Sequence, residues 1–119
     1  MAHADRDIVL HAGDDIEIAV DVFDADDEPL GLEGATVLWV VAARDADATR
    51  VLTKSTTEGG ITMDEPSNRF VIAIAAGDTA ALAGRYRHQA QITDGAGNRS
   101  TVLTGTLRIL PTIIAPDEA

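Results

Sequence analysis

The sequence predicts an all-β fold, a β-sandwich of seven to nine short antiparallel strands. Three observations predict it: apolar residues recur at a period of two, turn residues separate the apolar segments at short intervals, and only one short segment is helix-like. The chain has 119 residues, of which 45% are hydrophobic and 3% aromatic. We therefore expect a single domain over residues 1–111 with an aliphatic core, followed by a flexible tail at residues 112–119.

The first third of the chain contains three predicted strands. The short apolar run Ile8–Leu10, followed by the turn residues Gly13 and Asp14, predicts a first edge strand. Apolar residues at 16, 18, 20 and 22 alternate with Glu17, Ala19 and Asp21, which is typical of a half-buried strand. The segment Ala35–Ala43 is almost continuously apolar and β-branched, so we expect a central strand that is covered on both faces.

The rest of the chain continues in the same way. Further strands are predicted at 50–55, 61–63, 70–74, 86–92 and 101–110, the last one ending at Pro111. Asp78–Leu82 has a helical pattern, and Asp78 suits the N-cap of that helix. Asp94–Asn98 is glycine-rich and predicts a hairpin loop.

Local motifs narrow the type of sandwich. The segment Leu82-Ala-Gly84-Arg-Tyr86 resembles the tyrosine corner of immunoglobulin-like domains, in which a tyrosine hydroxyl bonds to the backbone of the preceding corner. A tryptophan on the third strand, Trp39, fits the same plan. The predicted fold is therefore an immunoglobulin-like β-sandwich.

The aromatic residues and one histidine are interpreted as structural. We expect Trp39, Phe70 and Tyr86 to anchor the core rather than to bind a ligand. His88 stands two residues after Tyr86, where antibody domains place a cysteine; this chain has no cysteine, so it lacks their disulfide. A histidine on the inward face is interpreted as a hydrogen-bonded core residue.

Charge is concentrated near the N-terminus. Residues 1–34 contain eleven carboxylates and one base, Arg6, whereas the whole chain has a net charge of −11. This balance argues against nucleic-acid binding, which draws its affinity from clustered Lys and Arg. Solvation of an acidic surface is the favoured interpretation, and a site for a cation or a basic partner is the alternative.

One acidic turn is a weak metal candidate. Its oxygen ligands suit Ca²⁺, but Pro29 stands where a calcium-binding loop requires glycine, so a solvated turn is favoured and neither a metal nor another cofactor is expected. The candidate ligands are Asp24, Asp26, Asp27 and Glu28.

Catalytic and targeting motifs are missing from the sequence. It has no Gly-x-Ser-x-Gly elbow, no His-Glu-x-x-His and no phosphate-binding loop, and its three histidines have no triad-like partners at readable spacings. We therefore expect no catalytic residue and no enzymatic activity. No apolar run is long enough to span a bilayer, and the N-terminus does not have the order of a signal peptide, so no membrane association is expected.

The order of the segments resembles small phage and prophage tail proteins, in particular the N-terminal immunoglobulin-like domain of baseplate upper proteins. The resemblance covers residues 8–111 and is carried by Gly13-Asp14, Leu32-Glu-Gly-Ala35, Gly84-Arg-Tyr86 and the last strand ending at Pro111. It implies a structural protein of the virion tail, made in the bacterial cytoplasm. The partners it implies are other tail or baseplate proteins, with a homo-oligomer as a further candidate.

Two hypotheses for function follow. The first is a phage tail or baseplate module that binds through strand edges or through an apolar tail, in which Ile113 and Ile114 dock on a neighbour. The second is a cell-surface or carbohydrate-binding sandwich, with or without the help of calcium. It is disfavoured because the single Trp and single Tyr are expected to be internal.

Overall fold

A computed structural model describes residues 4–23, 28, 34–43, 49–64, 68–111 and 113. Over these residues the chain forms nine strands and one short helix. The elements are β1 (Ala4–Asp5), β2 (Ile8–His11), β3 (Ile16–Asp21), β4 (Thr36–Ala43), β5 (Arg50–Ser55), β6 (Ile61–Asp64), β7 (Arg69–Ile74), α1 (Ala76–Thr79), β8 (Gly84–Thr93) and β9 (Arg99–Leu110). Apart from Ile113, the predicted tail at 112–119 lies outside the described residues.

The strands form two sheets. The six-stranded sheet has the order β1-β9-β8-β4-β5, with β2 also paired to β9, and the three-stranded sheet has the order β3-β7-β6. The three-stranded sheet faces a larger sheet that contains β4, β8 and β9. This arrangement is the immunoglobulin plan. The predicted immunoglobulin-like β-sandwich is confirmed.

One edge departs from the antiparallel pattern. β1 and β2 both pair parallel to β9, Ala4 opposite Leu103 and Ile8 opposite Leu107. Both pairs have the same sequence offset, so β1 and β2 are a single edge strand interrupted at residues 6 and 7. The N-terminal edge strand runs parallel to β9 because it pairs with a strand 99 residues away in the sequence. The alternation of apolar and polar residues within a strand does not predict such a pairing.

The core fills the space between the two sheets. Trp39 and Phe70 are fully buried, and Tyr86 is half-buried at its margin. Aliphatic side chains supply the rest, each contributing roughly 1.5–3 kcal/mol when buried. They come from the inward faces of strands in both sheets, among them Leu10, Ile18, Val20, Val37, Val41, Ile72, Ile74, Ile92, Leu103, Leu107 and Ile109.

The prediction that β4 is covered on both faces was wrong. Val37, Trp39 and Val41 are buried, but the alternate residues 38, 40 and 42 are only half-buried. The second sheet packs against one side of the six-stranded sheet, so the other side of β4 has no protein layer over it among the described residues.

The predicted helix begins earlier than expected. α1 spans Ala76–Thr79, its N-cap is Ala75, and Asp78 occupies the third helical position. From there its carboxylate accepts a hydrogen bond from the Ala75 N–H at 2.8 Å, the reciprocal half of a capping box. The same carboxylate forms a 2.7 Å ion pair with Lys54 on β5. Asp78 thus caps the helix from inside it.

Candidate interaction surface

The outer face of the six-stranded sheet carries an apolar strip, which we define as Leu38, Val40 and Ala42 on β4. The strands on either side present polar residues opposite this strip: Gln91, Gln89 and Arg87 on β8, and Thr53 and Arg50 on β5. A shallow groove of about 330 Å³ runs over the strip. Half-buried aliphatic side chains on a broad, open sheet face are typical of a contact surface rather than of a catalytic cleft.

Five arginines lie on the same face of the sheet as the apolar strip. Each is exposed, and none forms a salt bridge within the described part of the chain. Two of them, Arg85 and Arg108, lie directly opposite each other on β8 and β9, where like charges repel. The five are Arg50, Arg85, Arg87, Arg99 and Arg108. A chain with a net charge of −11 therefore has a basic face.

Three acids of the described residues lie near this face: Glu58 lines a hollow with Leu38, Arg50 and Arg99, and Asp5 and Asp7 lie at the opposite edge of the sheet. The carboxylate of Asp5 accepts a hydrogen bond from the Thr104 hydroxyl, and that of Asp7 accepts one from the Thr106 N–H at 3.1 Å. Both contacts attach the N-terminal edge strand to β9. The five arginines of the face therefore outnumber the three acids near it.

A buried polar contact lies directly beneath this face. The indole N–H of Trp39 donates to Nδ1 of His88 at 3.2 Å, and the two rings meet edge to face with centroids 6.1 Å apart. Because an indole nitrogen can only donate, Nδ1 of His88 is unprotonated and Nε2 carries the proton. Nε2 donates to the carbonyl oxygen of Arg6 at 2.6 Å, so both ring nitrogens are occupied.

Burial lowers the pKa of His88, because the charged imidazolium loses its water. The Arg6 carbonyl and the Asp7 carboxylate oppose this shift, and the Arg6 guanidinium adds to it. The neutral ring is also the only form that accepts from Trp39. With both nitrogens engaged and the neutral form favoured, His88 is a structural residue, as the sequence predicts.

Gly105 makes the contact between His88 and Arg6 possible. It lies opposite His88 on β9 and has a φ of +152°. A Cβ at this position would lie 2.1 Å from the Arg6 carbonyl oxygen and 2.9 Å from Nε2 of His88. Only glycine lets the edge strand approach this closely.

Arg6 joins the two sheets. Its backbone N–H donates to the Thr104 carbonyl on β9, and its carbonyl accepts from His88 on β8. Its guanidinium Nη1 donates to the Ala19 carbonyl on β3, in the other sheet, at 2.8 Å. This base, the only one in the acidic N-terminal third, therefore satisfies a backbone acceptor on β3.

The tyrosine corner has the expected geometry. The Tyr86 hydroxyl donates to the Ala83 carbonyl at 2.9 Å. Gly84 between them has a φ of +111°, a conformation that side chains disfavour. Leu82 is half-buried against the core, and its N–H donates to the Thr79 carbonyl, which ties the corner to α1.

The metal candidate lies mostly outside the described residues. This holds for Asp24, Asp26 and Asp27, whereas Glu28 is exposed. Among the described residues, no group of three or more His, Asp or Glu side chains is arranged to hold a metal ion.

In the glycine-rich hairpin loop, the Asp94 carboxylate bonds to the backbone of the loop itself. The Asp94 carboxylate accepts hydrogen bonds from the N–H groups of Asn98 and Ala96. These contacts, the Asn98 backbone first, hold the pKa of Asp94 below its usual value. Asp94 therefore serves the turn between β8 and β9.

Sequence reasoning missed the basic face and the open apolar strip. Two signals pointed to them: Arg85 and Arg87 alternate with the inward residues of β8, and β4 is apolar on both of its faces. Knowing that Arg50, Arg99 and Arg108 join the same face requires the strand register.

Comparison with known proteins gives structural neighbours but no relative by sequence. The sequence matches no protein-family model, and no curated protein matches it. Among solved structures, the chain is similar to murine CRIg, with 14% identity, a TM-score of 0.39, and coverage of 91% of this chain and 92% of that one. It is also similar to extracellular domains 3–5 of Drosophila OTK, with 14% identity, a TM-score of 0.37 and 89% coverage, but it spans only 32% of that structure.

The helix found in the described residues, α1, has four residues and is too short to span a membrane. In the part of the chain that the structure describes, no helix has the length and apolar character that a membrane crossing needs.

Proposed function

We propose that this protein is a non-enzymatic assembly module that binds another protein through the apolar strip and the arginines around it. The observation that carries the proposal is the uncovered side of β4. Leu38, Val40 and Ala42 are apolar residues on a strand whose composition predicts burial on both faces, yet the fold buries only one. A partner surface would supply the missing layer and remove this area from water.

The face also has a suitable size. Its central strand β8 has ten residues, roughly 33 Å at about 3.3 Å per residue, and its strands lie about 4.8 Å apart. Five strand positions across then give a face on the order of 600–700 Å², close to the ~800 Å² per partner of a standard interface. Arginine is among the residues enriched in such contacts.

The carbohydrate-binding alternative has little support in the aromatic residues. All four lie in the described part of the chain, and Trp39 and Phe70 are fully buried. The Tyr86 hydroxyl is used in the corner, which leaves Phe23, 39% exposed, as the one accessible ring. Sugar binding commonly uses an exposed aromatic platform, and a single ring just after β3 is a poor one.

We further propose that the assembly is the tail or baseplate of a phage or prophage. The support is the resemblance of four short segments to baseplate upper proteins, and three of these segments lie at turns and strand ends of the fold. Gly13-Asp14 precedes β3, Gly84-Arg-Tyr86 opens β8, and Pro111 follows β9. Of the fourth, Leu32 and Glu33 lie outside the described residues.

The experiment is co-purification with the products of the genes on either side. The tagged chain is co-expressed with each neighbour, once with the wild-type sequence and once as Val40→Glu, which puts a charge in the centre of the apolar strip. Ala19→Glu is the control, because Ala19 is an exposed residue in the middle of a strand on the opposite sheet. We expect a tail protein to co-purify with the wild type and the control but not with Val40→Glu. Loss of binding in both variants, or in neither, contradicts the proposed surface, and neighbours with metabolic functions contradict the phage assignment.

A further inference from the structure

We infer that the segment Ile113–Glu118 of one copy docks along the apolar strip of a second copy, with Asp117 at the arginines. This inference rests on the proposed function, because it names an occupant for the same surface. It makes the chain self-associating in a head-to-tail manner.

The apolar and acidic residues of the segment are complementary to the apolar strip and the arginines beside it. Its sequence is Ile113-Ile-Ala-Pro-Asp-Glu118, an apolar half followed by an acidic half. Ile113 is 100% exposed, so none of the described residues covers its apolar surface. The strip offers half-buried aliphatic side chains beside arginines that have no salt bridge within the described residues. Each surface therefore supplies what the other lacks.

The distance between the apolar and the charged positions is the same in the segment as along β4. Leu38 and Ala42 are four residues apart on β4, and so are Ile113 and Asp117, which corresponds to about 13 Å in extended chain. Arg50 and Arg87 are both register partners of Ala42, one on each side. An extended segment parallel to β4, with Ile113 at Leu38, therefore brings Asp117 between the two guanidinium groups, while Ile114 and Glu118 face the other side of the segment. Arg–carboxylate contacts of this kind are charge-assisted.

Ile113 cannot reach Leu38 or Val40 of the strip in its own chain. Ile109 is opposite Gly84 on β8, and Val40 is opposite Gln89, five residues further along. That offset is roughly 16 Å along the sheet, and two strand spacings add about 10 Å sideways. From Leu110, three or four extended residues span at most ~14 Å. The register proposed above, with Ile113 at Leu38, thus requires a second copy, because Leu38 lies opposite Gln91, even further along than Val40.

Pairing of two identical faces is disfavoured by charge. It would bring the arginines of one copy against those of the other, and opposed like charges are repulsive. A segment-to-face contact is instead heterologous, so it forms rings or open chains rather than a closed two-fold dimer. The contact is small, and we expect weak, concentration-dependent and salt-sensitive association.

Sedimentation-velocity and light-scattering measurements over a concentration series test the inference. We expect the wild-type chain to form oligomers at low salt, and the oligomers to be lost in Ile113→Ser/Ile114→Ser and in Arg50→Glu/Arg87→Glu. Ala81→Glu/Ala96→Glu adds negative charge at exposed loop residues away from the strip, and this control should associate like the wild type. A monomeric wild type at every concentration overturns the inference.

A charge exchange makes the test specific. Asp117→Arg/Glu118→Arg and Arg50→Glu/Arg87→Glu should each be monomeric alone, because each opposes like charges at the contact. Mixed in equal amounts, they should associate, since the basic segment of one meets the acidic face of the other. Absence of the mixed oligomer overturns the inference even if the wild type associates, because the contact then lies elsewhere.

Failure of the inference and failure of the proposed function give different results. If Ile113→Ser/Ile114→Ser leaves both self-association and binding to the neighbouring gene products intact while Val40→Glu abolishes the latter, the strip is a docking surface for a different protein. If Val40→Glu has no effect on any association, the proposed surface itself is wrong. Circular dichroism of each variant verifies that the β-sandwich is folded.

Discussion

Trp39 and His88, on adjacent strands of the six-stranded sheet, share a buried hydrogen bond in which the indole N–H donates to Nδ1 at 3.2 Å. His88 stands where antibody domains have the second cysteine of their disulfide. In this chain, a polar contact continues from the tryptophan through the imidazole to the Arg6 carbonyl. These hydrogen bonds join β4 and β8 to the N-terminal edge strand within the six-stranded sheet, whereas the disulfide of antibody domains joins the two sheets.

Stability should fall as the pH drops below about 6.5. The pKa of His88 is lowered by burial, so its imidazole takes up a proton near this pH in the unfolded chain but stays neutral in the folded one. The unfolded state then binds more protons, and the free energy of unfolding decreases until the pH passes the folded pKa. Urea denaturation at about pH 7.5 and about pH 5.5, on either side of the unperturbed histidine pKa, measures this loss.

The control for this prediction is His88→Gln, which removes the titrating ring. Lower pH also reduces repulsion among the many carboxylates, and the variant shares that effect. The wild type should lose more stability between the two pH values than the variant does. Equal changes in the two proteins would mean that His88 titrates alike in the folded and unfolded states.

Gly105→Ala should destabilise the protein by about 2–4 kcal/mol. The new Cβ would meet the Arg6 carbonyl oxygen at 2.1 Å and its carbon at 2.7 Å, which forces the edge strand away from His88. Gly97→Ala is a matched control, since Gly97 also has a positive φ but has open space, with no atom within 4 Å, where a Cβ would lie; it should cost only about 1 kcal/mol. Thermal unfolding that ranks the two variants equally would contradict the steric role of Gly105.

Tyr86→Phe should cost about 1 kcal/mol, because it removes the hydroxyl that donates to the Ala83 carbonyl. The ring itself remains in place, so packing is conserved. Chemical denaturation measures the change, and an unaltered midpoint would show that the corner does not depend on this bond.

Asp78→Ala should destabilise the domain by about 1–2 kcal/mol. It removes the acceptor for the Ala75 N–H and the ionic partner of Lys54, whose side chain is only 16% exposed. Glu58→Ala, at an exposed turn, is the control and should change stability by less than about 0.5 kcal/mol.

The Asp78 carboxylate also predicts how stability changes at acidic pH. Burial opposes its ionisation, but the contacts with Lys54 and the Ala75 N–H outweigh burial and lower its pKa below 3.8. Its contribution is therefore complete above that value and is lost as the pH falls through the folded pKa. The stability difference between wild type and Asp78→Ala should shrink in strong acid, and a constant difference would contradict this.

Millimolar calcium should leave the melting temperature unchanged. We interpret the acidic turn around Asp24 and Glu28 as solvated, and a ligand that does not bind the folded state cannot stabilise it. Differential scanning fluorimetry with calcium and with magnesium as a control measures this, and a calcium-specific rise would reverse the interpretation.

The sequence determined the local features of this protein. Period-two alternation located the strands and their inward faces, because a residue's side of a strand depends only on its neighbours. Turn residues located the tyrosine corner, and Trp39, Phe70 and His88 lie inside as the sequence predicts. Asp78 is predicted at the N-cap but occupies the third helical position, since an acid serves equally well at either place.

The features that join distant residues depend on the tertiary structure. The parallel edge at β9, the approach of Arg6 to His88 past Gly105, and the gathering of five arginines depend on partners 82 or 99 residues apart or on strand register. Alternation does not encode which strands become neighbours. It also does not encode whether a second layer covers the outer side of β4, and that side is where we propose that the protein binds its partners.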